Sequence, residues 1–149
     1  MTLRILLVTS LFAVGALADE NADRARLAGA WQVQNEAGTP SASVWVLDEK
    51  NDSMHITNMK GDRKLAEFEC NTVGHECEIE DSGRHAKVSL WFSGPKLVEL
   101  ETRGDEVVKR RFAVSGQADT LELELIPVVP GGRTETMQLK RVPIGEPKQ

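Results

Sequence analysis

The sequence predicts an all-β protein: a single antiparallel up-and-down meander closed into a small barrel of about eight strands. Between Val88 and Val142 the runs alternate apolar and charged residues; Leu121, Leu123 and Leu125 alternate with Glu122 and Glu124, a period of two that an amphipathic helix does not produce. Short turns carrying Gly or Pro separate those runs, and no convincing helical pattern interrupts them. Periodicity does not report closure, so a two-sheet sandwich is the alternative architecture.

In chain order, Met1 to Ala18 reads as a targeting segment. Arg4 precedes the apolar run Ile5 to Leu17, and Ala16, Leu17 and Ala18 give a small-x-small cleavage pattern before Asp19. The run is short for a membrane span, and no cysteine follows the cleavage point to take a bacterial lipid anchor. The expected mature protein is secreted or periplasmic, with no membrane anchor. Removing the segment removes Arg4 and no acid, so 18 basic against 23 acidic residues become 17 against 23, a net charge of about −6. That balance disfavours nucleic acid and anionic membranes as partners.

The remaining length suits one domain. Residues 19–29 form a polar lead-in with one helical turn around Ala25 to Ala28, residues 30–142 the barrel, and residues 143–149 a flexible tail containing Pro143 and Pro147. With four Phe, three Trp and no Tyr, the interior has to be built mainly from Val, Leu, Ile and Met.

Gly29, Ala30 and Trp31, opening the first strand, resemble the start of lipocalins and related small barrels, where the Trp plugs the closed end. The spacing of the hairpins, with Arg110 and Arg111 paired before a Gly-containing turn, is similar to small secreted bacterial proteins with a lipocalin-like barrel. The resemblance implies that barrel and does not carry ligand-binding residues over.

Beyond Trp31 and Val33, strands are expected at Ser43–Asp48, Ser53–Met59 and Leu65–Cys70, with turns at Lys50–Asp52 and Lys60–Lys64. Opposing Val46 to Ile56 and Ile56 to Phe68 turns Val44, Val46, Met54, Ile56, Ala66 and Phe68 inward together. Trp45 and Leu47 then face outward, and His55 lies outside opposite Glu69.

Cys70 and Cys77 are the only cysteines. An even count in an exported chain points to a disulfide around the six-residue loop Asn71 to Glu76. Closing that loop is worth about 2.5 kcal/mol on the chain-entropy model. His75 and His85 lie nearby, but paired zinc-ligand spacings are absent, and no metal is expected. A strand stub follows at Cys77 to Ile79.

In the meander, a three-residue turn at Ser93, Gly94 and Pro95 places Leu90 opposite Val98, and another at Gly104, Asp105 and Glu106 places Val98 opposite Phe112. A turn at Gly116 to Asp119 brings Phe112 opposite Leu123. The last strand, returning after Pro127 to Arg133, matches Leu123 with Leu139. These registers place Arg111 outside between Glu99 and Glu124, oppose Glu101 to Lys109, and oppose Glu122 to Lys140.

Two features could carry function. Arg110 and Arg141 fall on the inward face, and a buried guanidinium must be paired. In fatty-acid-binding proteins and some lipocalins interior arginines hold a ligand's carboxylate, so Arg110, Arg141 and Trp31 are the candidate ligand-contacting residues. The competing reading has each arginine snorkel to water near a rim. The expected register separates the two by four residues, about 13 Å along the strands, so they do not converge. The second feature is apolar surface: Trp45 beside Leu47, and Trp91 opposite Leu97, form a candidate interface for a protein partner.

No G-x-S-x-G elbow, H-E-x-x-H helix or Gly-rich phosphate loop is present, and neither enzyme activity nor a cofactor is expected. The reading is an exported binding module for a small apolar or amphiphilic ligand, with Arg110 or Arg141 meeting any acid group. The alternative is a periplasmic or secreted interaction barrel, such as a hydrolase inhibitor, with the Asn71–Glu76 loop as its finger.

Overall fold

In the computed structural model, which describes residues 22–81, 83–115 and 119–144, the period-two segments form ten strands. They are β1 (Gly29–Gln34), β2 (Pro40–Lys50), β3 (Ser53–Lys60), β4 (Arg63–Asn71), β5 (Cys77–Asp81), β6 (Arg84–Ser93), β7 (Lys96–Arg103), β8 (Glu106–Val114), β9 (Thr120–Val129) and β10 (Glu135–Val142). The stub expected at Cys77–Ile79 is a full edge strand, β5. All pairs are antiparallel, in the spatial order β4-β3-β2-β1-β10-β9-β8-β7-β6-β5. Because β1 pairs with β10, the two edges of this one sheet are β4 and β5, neighbours in the chain. The sheet curls into a nearly closed barrel, not a sandwich. Its seam lies between β4 and β5, and the Cys70–Cys77 disulfide spans that seam. The leader (1–18), the start of the lead-in, and the tail beyond Ile144 lie outside the described residues.

Two strands are turned over relative to the sequence expectation. The hairpins at Asn51–Asp52, Gly94–Pro95 and Gly104–Asp105 have two-residue turns, closed by Lys50 with Ser53, Ser93 with Lys96, and Arg103 with Glu106. Their first residues have φ of 54°, 60° and 56°, the conformation that lets so short a turn follow the twist of its strands. A turn one residue shorter moves the pairing by one and exchanges the faces of a strand. Hence Leu47 pairs with Ile56, and Trp45 and Leu47 point inward while Val44 and Val46 point outward.

Likewise β7 is reversed: Leu97, Glu99 and Glu101 face in, and Val98 lies outside opposite Arg111. The two shorter turns flanking β7 cancel at β8, so Phe112 still faces inward, and the β8–β9 pairing sets it opposite Leu123 as expected. The final pairing slips by two, Met137 opposing Leu123 and Leu139 opposing Leu121, which leaves the faces unchanged. The cause is that β9 runs on through Pro127 to Val129, past a bulge between Val107 and Val108, where a residue without an N–H is tolerated.

The outer charge ladder changes accordingly. Arg111 meets Glu124 at 2.7 Å, but Glu99 and Glu101 have left that face, and Glu122 opposes Gln138 rather than Lys140. The core runs from Leu27 and Trp31 through Leu47, Met54, Ile56, Val88 and Leu90 to Leu97, Phe112, Leu121, Leu123 and Leu139, all essentially without exposure. At about 1.5–3 kcal/mol per large buried side chain, this face supplies the main stabilising term.

One end of the barrel is plugged. The helical turn sits at residues 22–25, three residues earlier than expected, and leads Leu27 into the core. Trp31 donates its indole N–H to the Leu27 carbonyl at 2.9 Å. The Arg141 guanidinium lies 4.2 Å from the Trp31 ring centre and donates to the Ala28 and Arg26 carbonyls at 2.8 Å. Gly29 has φ of 137°, and a Cβ there would collide with Arg141 Nη1, so this G-x-W start has a physical need for its glycine.

Candidate functional site

The opposite end, toward the Gly61–Asp62 and Gly104–Asp105 turns, holds a cavity of about 320 Å³. Leu65, Ala66 and Phe68 of β4 and Ile79 of β5 give it an apolar wall beside the seam, and Val108 of β8 adds apolar surface next to Arg110. The facing wall is polar, with Glu99, Glu101 and Arg103 of β7 and Arg110 of β8; Asn58 of β3, the ladder partner of Ala66, and the Trp45 ring of β2 complete the lining.

The polar wall follows directly from the reversal of β7. Glu99 and Arg110 are ladder partners, and Arg110 Nη1 donates to Glu99 Oε1 and to Glu101 Oε2, each at 2.8 Å. Arg103 donates to the other oxygen of Glu101 at 2.6 Å. The Arg110 guanidinium carbon stands 5.8 Å from the Trp45 ring centre, and Trp45 in turn meets Phe112 edge-on, centroids 5.6 Å apart. The charge is thus packed on aromatic surface and bracketed by carboxylates.

Glu99 is 1% exposed. Burial pushes its carboxyl above the ordinary carboxylate range, and the Arg110 charge only partly offsets this. For Arg110, burial works toward a lower value, but the Glu99 and Glu101 carboxylates overcome it and hold the guanidinium firmly charged. Glu99 Oε2 and Asn58 Oδ1 are buried and accept no hydrogen bond among the described residues. Both residues line the cavity.

The residues singled out from the sequence therefore disperse. Arg110 is inside as expected, at the cavity, while Arg141 and Trp31 belong to the plug at the other end, so the two arginines do not converge. Trp45 and Leu97 are not surface residues: the shorter turns carry both inward, Trp45 to the cavity and Leu97 into the core. Trp91 remains on the outer face opposite Val98, half-buried, and bridges Val73 of the disulfide loop. Cys70 and Cys77 are joined. His55 pairs with Glu69 in the ladder and reaches Glu67 at 3.2 Å, and His85 lies 3.7 Å from Glu80. Among the described residues no three His, Cys, Asp or Glu side chains converge as metal ligands would. Glu99, Glu101, Arg103 and Asn58 were not legible as site residues. The available signals were the Gly-led turns and the inward Arg110, which needed an acid beside it.

No protein-family model matches this chain, and no curated protein sequence does. Solved structures do. A secretory abundant heat soluble protein from Ramazzottius varieornatus is 14% identical with a TM-score of 0.66, over 78% of this chain and 96% of that one. The Schistosoma mansoni fatty acid binding protein in complex with arachidonic acid is 16% identical with a TM-score of 0.65, over 80% and 98%. The fold is a lipocalin-like barrel. The REP1-NXSQ fatty acid transporter shares it at 15% identity and a TM-score of 0.64, over 81% and 99% of the two chains. At such identity the likeness speaks for the barrel alone, and the cavity has to be read from its own residues.

Proposed function

We propose that this chain is an exported binding module that takes one small amphiphilic molecule into the open end of its barrel. The observation that carries the reading is the asymmetry of the interior. One end is packed solid around Trp31, while the other keeps a cavity of about 320 Å³ with an apolar wall and a charged one. Solved neighbours named for fatty acid binding and transport support a lipid-like ligand. Export is supported by the Met1–Ala18 leader pattern and by the Cys70–Cys77 disulfide, which persists best in an oxidising compartment. A binding role needs no catalytic group, and none is assigned.

Native mass spectrometry of the protein expressed with its leader tests this. The expected result is a co-purifying small molecule that is lost in Ala66→Trp, which fills the apolar wall. An adduct-free protein that also takes up no amphiphile in titration overturns the reading.

A second reading rests on the disulfide loop, where Val73 is 61% exposed beside half-buried Trp91. An interaction barrel would use this loop as its contact. Capture of a stoichiometric protein partner that is lost in Val73→Asp, with an empty cavity, would favour it over the first.

A further inference from the structure

We propose that the polar wall of the cavity is a site for an ammonium headgroup rather than a carboxylate. The proposal rests on the reading of the cavity as a ligand site and goes on to specify what that site selects.

An interior arginine attracts an anion only if its charge is not already spent. Arg110 donates to Glu99 and Glu101, and Glu101 is shared with Arg103. Counting Glu106, the cavity is lined by three carboxylates against two guanidinium groups. A ligand carboxylate arriving here would be a fourth acid against two bases. The Arg110 Nε–H has no acceptor among the described residues, but a carboxylate reaching it would sit beside Glu99 and Glu101 and add a further buried anion to the cluster, an outcome that is disfavoured.

Beside that Nε–H donor there is unused capacity of the opposite kind among the described residues. Glu99 Oε2 and Asn58 Oδ1 are acceptors without a donor, on two residues that line one cavity, and Glu99 is almost fully buried. A primary ammonium carries three donors and one positive charge, which supplies both acceptors and balances the excess acid. The Trp45 ring, already facing the Arg110 guanidinium, lines the same cavity and is a cation-compatible surface. A hydrocarbon chain attached to that head would lie along Phe68, Ile79, Leu65 and Val108. Reversal of β7, by placing Glu99 and Glu101 inside, turns an expected anion site into an acceptor-rich one.

The test is calorimetric titration of the full chain at pH 7 with decylamine, decanoate and decanol, each below its micelle concentration. Decylamine is expected to bind at least about tenfold tighter than decanoate, with decanol between them. The ratio of decylamine to decanol affinity is expected to fall about tenfold in Glu99→Gln, a near-isosteric change whose folding is checked by its amide spectrum. Decanoate binding as tightly as decylamine, or a ratio unmoved in Glu99→Gln and in Glu101→Gln, overturns the headgroup assignment while leaving the amphiphile cavity intact. If none of the three binds, the cavity reading and the headgroup assignment fall together.

Discussion

Arg110 and Glu99 face each other across the β7–β8 ladder inside the barrel, Nη1 to Oε1 at 2.8 Å, and Glu99 is the most buried charged side chain among the described residues. The pair is bound on one side only. Glu101 shares the same Arg110 Nη1, while among the described residues the second oxygen of Glu99 meets no donor and Arg110 Nε no acceptor. Several consequences of that imbalance can be measured.

Removing the cation should cost more than removing either acid. Arg110→Met leaves Glu99 and Glu101 adjacent and buried without their shared partner, and a loss of about 3–5 kcal/mol is expected in urea unfolding. The double variant Arg110→Met with Glu99→Gln should recover part of that loss, since one of the stranded charges is gone. A double variant as unstable as the sum of the two single ones would show that the groups are not coupled.

Stability should depend on pH through Glu99. Because burial raises its pKa in the folded chain, the native state holds that proton more readily than the unfolded chain does. Its contribution is therefore present at low pH and is lost as pH rises from the ordinary carboxylate range through the raised folded value. Arg110 and Glu101 are the charged partners acting on it, and Arg110 stays charged throughout. Urea unfolding from pH 4 to pH 8 should show Glu99→Gln gaining on the parent protein as pH increases. A difference that stays constant across the range would contradict the raised value.

The plug depends on a glycine. Gly29→Ala sets a Cβ against Arg141 and strains a backbone at φ of 137°, so a loss of about 1–3 kcal/mol is expected. Arg141→Ala should lower the cost of that alanine, because the colliding group is removed, although it also uncovers Trp31. Thermal unfolding of both single variants and the double one checks this.

The disulfide clasps a seam as well as a loop. Cys70 lies on β4 and Cys77 on β5, the two edges that share no ladder. Replacing both by Ser should cost about 2.5 kcal/mol by loop entropy. It should also raise amide hydrogen exchange in β4 and β5 more than in β8 and β9. Uniform exchange across the barrel would show that the seam is held by packing alone.

Local sequence determined a good deal here: most of the ten strands, the places of the turns before β3, β4, β7 and β8, the Cys70–Cys77 pair, the inward direction of Arg110 and the β8–β9 register. Each follows from alternation, cysteine count or turn composition, which act over a few residues. Tertiary structure decided which way β2 and β7 face. Those strands carry apolar residues on both sides, Trp45 and Leu47 against Val44 and Val46, and Leu97 against Val98 and Leu100. Alternation therefore has no preferred phase in them, and a single residue of turn length settles the face. The binding wall was hidden for the same reason. Glu99 is tolerated inside only because Arg110 meets it there, and a charge that needs a partner from another strand leaves no mark on its own neighbours in the chain.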